Sequence, residues 1–174
     1  MIQVLFSQSE VEYIVKKCLD EFLEKDFALL QYDVSERAIT HKLAEYLQDC
    51  FPKWNVDCEY NRNSELREYM KKKLYILKDK RWIGLDEDER LAISPYPDIV
   101  VHHRGNNNEN LLIVEVKKRK SRADHNYDHE KLAAFTGNSK WNKYHYKYGV
   151  FILLDTGEKP QEPELTWFVD GKFR

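Results

Sequence analysis

The sequence predicts an α/β domain, a mixed central sheet with helices packed on its faces. Three observations carry that expectation. Apolar residues recur at helical spacing through residues 8 to 50, short alternating or wholly apolar runs bounded by turn residues dominate after residue 55, and a helix-like stretch at 128 to 137 separates two of those runs. In order, the elements read helix, helix, strand, strand, strand, helix, strand, strand, with no repeats or low-complexity linkers between them.

The first helix lies in "SQSEVEYIVKKCLDEFLEKDF", where Val11, Ile14, Val15, Cys18, Leu19, Phe22 and Leu23 form an apolar stripe. The second lies in "DVSERAITHKLAEYLQDCF", with Ile39, Leu43, Leu47 and Cys50 aligned, Asp33 or Ser35 as its cap and Pro52 as its stop. "NVDCEYN" alternates as a strand over residues 55 to 61. Residues 63–95 are charged and mixed, helical at first, and read as an insertion ahead of Pro97. "DIVVHHR" and "LLIVEVKKR" then form a hairpin around "GNNNEN", whose Gly and Asn residues suit positive φ. "DHEKLAAFTG" is a short helix with Asp128 as N-cap candidate, Leu132 and Phe135 facing inward and Gly137 at its end. "YGVFILLD" reads as a buried central strand and "LTWFVD" as the last one.

The 174 residues suit a single domain, 1–174, in which 1–30 form an N-terminal helical extension. A hydrophobic content of 42% is enough for a packed core, so disorder is not expected. A net charge of -2 gives no global attraction to polyanions, and such binding must come from local patches. There are two: "KKK" at 71–73 with Lys78, Lys80 and Arg81, and "KKRKSR" at 117–122; each also reads as a solvated face. Cys18, Cys50 and Cys58 offer no CxxC pair, which argues against a disulfide framework or thiolate zinc and fits a reducing cytoplasm. No run approaches the roughly 20 apolar residues of a membrane helix and the first ten residues lack a basic leader, so a cytoplasmic location without a membrane partner is expected.

Chemistry concentrates in the hairpin. If Arg104 pairs with Leu111, opposed residues sum to 215, so Asp98 faces Lys117 and lies diagonal to Glu115, at roughly 5 and 7 Å between Cβ atoms. All three side chains share a face because strands alternate with period two. Two carboxylates that close repel unless a cation lies between them, and hard oxygen ligands suit Mg²⁺ or Mn²⁺. A neighbouring lysine then completes what metal-assisted phosphodiester hydrolysis needs. The plainer alternatives are a strand-start Asp after Pro97 and a Glu115–Lys117 surface ion pair. Against them, Glu115 interrupts the apolar run "LLIVEV".

These residues, Pro97-Asp98 and Glu115-Val116-Lys117, together with the element order over residues 33 to 155, resemble the PD-(D/E)xK nuclease superfamily. The resemblance implies a restriction-endonuclease-like α-β-β-β-α-β core behind an N-terminal helix, and a nuclease, most often an endonuclease, that hydrolyses DNA with Mg²⁺ or Mn²⁺. It further implies Asp98, Glu115 and the Val116 carbonyl as metal ligands and Lys117 as the catalytic lysine. Many members carry a glutamate on the first core helix, and Glu36 is the counterpart here. Its spacing from Ile39 and Leu43 puts it on the buried stripe, but Asp33-x-x-Glu36 equally fits a capping box. Some members add a polar residue on the helix after the hairpin, a place open to Lys131.

Phosphate contacts are expected from Lys118, Arg119, Lys120, Arg122 and Lys131, salt-sensitive and with little sequence preference. Trp82, Trp141, Tyr144 and Tyr146 suit base stacking or, more simply, packing. DNA is the expected partner with RNA left open, and a homodimer is compatible with the chain. The alternative is an inactive nuclease-fold domain that binds nucleic acid or a protein. The six histidines give no HExxH, and His125 with His129 reads as a solvated pair. No GxGxxG, Walker loop or GxSxG elbow is present.

Overall fold

Ser7 opens the first helix, α1 (Gln8–Gln31), by a reciprocal cap: its hydroxyl accepts from Glu10 N, and Glu10 Oε2 accepts from Ser7 N at 2.7 Å. The computed structural model describes residues 6–60, 74–77, 90–93, 96–121, 125–140 and 142–174. Along α1 the predicted stripe Val11, Val15, Cys18, Leu19 and Phe22 is buried. Asp26 departs from helical geometry, and its carboxylate accepts a 2.6 Å bond from Tyr46 of the second helix, α2 (Glu36–Cys50). Ser35 caps α2, accepting from Ala38 N at 3.3 Å. Asp33, at φ 51°, instead turns its carboxylate to Lys118 Nζ, 2.8 Å away, so the Asp33-Glu36 capping box does not form.

The remaining elements are β1 (Asn55–Cys58), β2 (Leu74–Leu77), β3 (Arg90–Ile93), β4 (Ile99–His102), β5 (Leu112–Lys118), α3 (His125–Thr136), β6 (Tyr148–Leu154), β7 (Glu164–Val169) and β8 (Lys172–Phe173). Six strands form one sheet in the order β1-β4-β5-β6-β7-β8. Only β5 and β6 are parallel, and α3 makes the crossover between them. The chain is therefore mixed α/β, as predicted. In the expected insertion, the stretch read as helical (64–73) lies outside the described residues. Its later part is not helical: β2 and β3 pair antiparallel as a separate ribbon. The strand β8 was also unexpected. It follows Asp170 and Gly171, at φ 52° and 77°, the two positive-φ residues of a tight hairpin turn.

Both faces of the central strands are covered. Ile99, Val101, Val114, Val116, Val150 and Ile152 pack under α1 and α2 in the main core, so α1 is part of that core and not an appendage. Val100, Ile113, Phe151 and Phe168 meet Leu132 and Phe135 of α3 on the other face, joined by buried Tyr144 and Tyr146. This double burial explains the almost unbroken apolar runs in β4 to β6. Gly149 lets α3 lie close to the sheet: a Cβ there would stand 3.1 Å from Thr136 Cγ2 and 3.3 to 3.4 Å from Phe168 and Leu132. Among the described residues no helix is long and apolar enough to cross a membrane, and all three cysteines are free.

The hairpin register differs from the expected one by two residues. Ile99 pairs with Val114 and Val101 with Leu112, so opposed residues sum to 213. Only Gly105 of the loop takes positive φ, at 80°. The asparagines act through their side chains: Asn106 Oδ1 accepts from Asn108 N, and buried Asn110 donates to the Tyr144 carbonyl at 2.7 Å. Those bonds take Asn106 to Asn110 out of the strands. A shift of two preserves which side chains share a face.

At the sheet edge, β1 is held to β4 by Asp57. Its carboxylate takes two bonds from Arg104 and lies 2.9 Å from His102 Nε2. Arg104 holds the Asp57 carboxyl below its usual range, against the pull of burial and with help from His102. A folded value below the unfolded one means stability that is present above about pH 4 and lost as pH falls through the folded value. Asp57→Asn is therefore expected to lower the urea midpoint near neutral pH, with the difference from wild type fading below about pH 3.

Candidate active site

The site forms at the open end of the β4–β5 hairpin. Pro97 is buried and Asp98 follows it directly into β4, its carbonyl accepting from Glu59 N at 3.2 Å. The Asp98 carboxylate reaches across to β5 and accepts a 2.8 Å bond from Val116 N. Continuing the observed register sets Asp98 opposite Glu115, not opposite Lys117 as predicted. The two carboxylates are thus closer neighbours than expected, on the face that α3 covers.

Glu115 has no exposed surface. Its Oε2 lies 2.6 Å from Lys131 Nζ, yet neither of its oxygens receives a hydrogen bond of acceptable direction, so the contact is a charge pair only. Lys131 also lies 3.4 Å from Asp128 Oδ1, and Asp128 Oδ2 stands 3.8 Å from Lys117 Nζ. Lys117 in turn bonds Glu36 Oε1 at 3.0 Å, while Glu36 Oε2 accepts from Lys118 N. A chain of alternating charge therefore runs Glu115, Lys131, Asp128, Lys117, Glu36, with Asp98 beside it. Four carboxylates face two ammoniums, which leaves two negative charges without a cation when all are ionised.

Burial, then the charge of Asp98, push Glu115 well above the ordinary carboxylate range despite Lys131. Burial also raises Asp98, against the Val116 N–H and Lys117. Burial pulls Lys117 down, but the bond from Glu36 and the fields of Asp98 and Asp128 outweigh it and its value rises. Lys131 behaves the same way through Glu115. Carboxylates that resist ionising beside lysines that stay charged describe a pocket in want of positive charge. A cleft of about 380 Å³, lined by Glu36, Thr40, Cys58, Glu59 and Asp98 among others, opens beside it.

The structure brings together Asp98, Glu115, Lys117, Glu36 and Lys131, with Val116 tying Asp98 by its backbone. It does not gather the expected phosphate contacts. Lys118 is committed to Asp33 and the Val34 carbonyl, Arg119 pairs with Glu164 on the surface, and Lys120 is exposed. Arg122, Trp82, Trp141 and the basic residues at 71–73, 78, 80 and 81 lie outside the described residues. Tyr144 and Tyr146 are core residues. Asp128 is not an N-cap, because α3 begins at His125; it is buried in the first turn, on one helix face with Lys131, Leu132 and Phe135. That spacing of three, four and seven was the signal available in the sequence. His125 and His129 are not a solvated pair: both rings pack on Phe151 and both Nε2 atoms are buried without a hydrogen bond.

Among the described residues no three His, Cys, Asp or Glu side chains form a ready metal cage. The oxygen-only set of Asp98 and Glu115, with the Val116 carbonyl between them in sequence, nonetheless fits Mg²⁺ or Mn²⁺. Such ions are commonly held by one or two carboxylates and keep several waters, and Glu115 has oxygens with no directed donor. No family model, no curated protein and no solved structure matches the chain.

Removing one partner of a buried pair strands the other charge, whereas removing both does not. Lys131→Met is expected to cost about 3–5 kcal/mol in urea unfolding, and Glu115→Gln/Lys131→Met to return to within about 1 kcal/mol of wild type. A double variant as unstable as the single one would assign the loss to the packing of the lysine stem instead.

Proposed function

We propose that the chain is a metal-dependent nuclease of the PD-(D/E)xK type, hydrolysing phosphodiester bonds in DNA, with RNA a further substrate to test. The observation that carries this reading is the buried pair Asp98 and Glu115, opposed on adjacent strands with two negative charges in excess. Support also comes from the element order: α2, β1, the β4–β5 hairpin, α3 as crossover and β6 parallel to β5 correspond to the restriction-endonuclease-like α-β-β-β-α-β core.

In this reading Asp98, Glu115 and the Val116 carbonyl hold Mg²⁺ or Mn²⁺. The ion supplies Lewis acidity at the scissile phosphate and a more acidic bound water. Lys117 orients the attacking water and offsets charge developing on the phosphate, because its fully charged ammonium stands at the rim of the carboxylate pair. Glu36 acts as a positioning residue, holding Lys117 by its side chain and the Lys118 amide at once. Lys120 is free to meet a neighbouring phosphate.

One observation favours the alternative of an inactive domain that binds nucleic acid or a protein: Lys131 already neutralises Glu115 without a metal. Cleavage of plasmid and single-stranded DNA separates the two. Activity is expected with Mg²⁺ or Mn²⁺, abolished by chelation, and lowered by at least about a hundredfold in Asp98→Ala, the scale on which losing a group that stabilises transition-state charge acts. Inactivity on DNA and RNA with either metal would decide for the binding domain.

A further inference from the structure

Lys131 holds a place that the proposed metal also needs. Its side chain is only 7% exposed and its ammonium lies 2.6 Å from Glu115 Oε2. Lys117, the other ammonium of the cluster, is turned to Glu36 and Asp128. Among the described residues Lys131 is thus the cation that neutralises Glu115. The contact is short but lacks hydrogen-bond direction, so it is held by charge and confinement and not by a fixed geometry. An ion at the usual oxygen distance, about 2.0–2.1 Å for Mg²⁺, cannot share that oxygen with an ammonium this close without strong like-charge repulsion in a buried site.

We propose that Lys131 is a tethered counter-ion that must leave Glu115 for a divalent cation to bind, so that lysine and metal compete for one carboxylate. The inference rests on the nuclease reading of the site. Without metal, Lys131 keeps the fold from carrying a bare buried charge on Glu115. On release, its ammonium retains Asp128, whose Oδ1 already lies 3.4 Å away, so the exchange strands neither lysine nor aspartate. The consequence is a threshold: weakly bound divalent ions and monovalent ions leave Lys131 in place and the site closed.

Two measurements test this, neither of them cleavage. Mn²⁺ binding followed by electron paramagnetic resonance should be tighter in Lys131→Gln than in wild type by on the order of tenfold, because coupling between competing ligands is reciprocal. A purely structural lysine would leave affinity unchanged or weaken it. In the wild-type protein, acetylation read by mass spectrometry should modify Lys131 slowly without metal and faster under saturating Mg²⁺; should Lys131→Gln fail to fold, that labelling decides alone. Equal or weaker Mn²⁺ binding in the variant, with unchanged labelling, overturns the counter-ion and leaves the nuclease reading standing. Absence of Mn²⁺ binding by both proteins overturns both.

Discussion

A carboxylate with no exposed surface needs compensating positive charge, and Glu115 sits in a strand roofed on both faces by helices. Much of the molecule is arranged around that constraint. The α3 crossover delivers Lys131 and Asp128 to the sheet, while the start of α2 brings Glu36 to the end of β5. The turn between α1 and α2 is fastened to the same strand by Lys118, through Asp33 and the Val34 carbonyl. Three helices thus converge on one strand end through charge, and the apolar layers above and below set how close they come.

That arrangement also explains why the basic run beginning at Lys117 is a poor guide to a polyanion surface. Its first three members are spent inside the protein or against Glu164, and only Lys120 of the described ones faces solvent free of an ion pair. A run of like charge in sequence says little about field strength once each member has a partner. Attraction of a phosphate to this end of the sheet then depends on what neutralises Asp98 and Glu115 as much as on the lysines themselves.

Much of this was legible in the sequence, and the boundary is a physical one. Period-two alternation put Asp98, Glu115 and Lys117 on one face, a property that survives any even shift in register. The register itself was not readable, because it depends on Asn110 reaching Tyr144, a partner 34 residues away. Asp128 looked like a cap because capping is local, whereas its actual role depends on which side of α3 meets the sheet. Glu36 had two readings of equal local merit, and the choice between them was made by Lys118 drawing Asp33 away. The Asp170-Gly171 turn, by contrast, was a local signal that could have been read.

Gly149 carries a consequence beyond packing. It has no side chain and no charge, and it lies on β6, a strand away from Glu115, yet it sets the gap between α3 and the sheet. Since the Lys131–Glu115 contact spans that gap, layer thickness and local potential are one variable here. A single methyl group at position 149 would act as a spacer, moving charge without touching a charged residue. Substitutions that look like core repacking can therefore retune the electrostatics of this site, and sequence drift in the apolar layer is constrained by a carboxylate it never contacts.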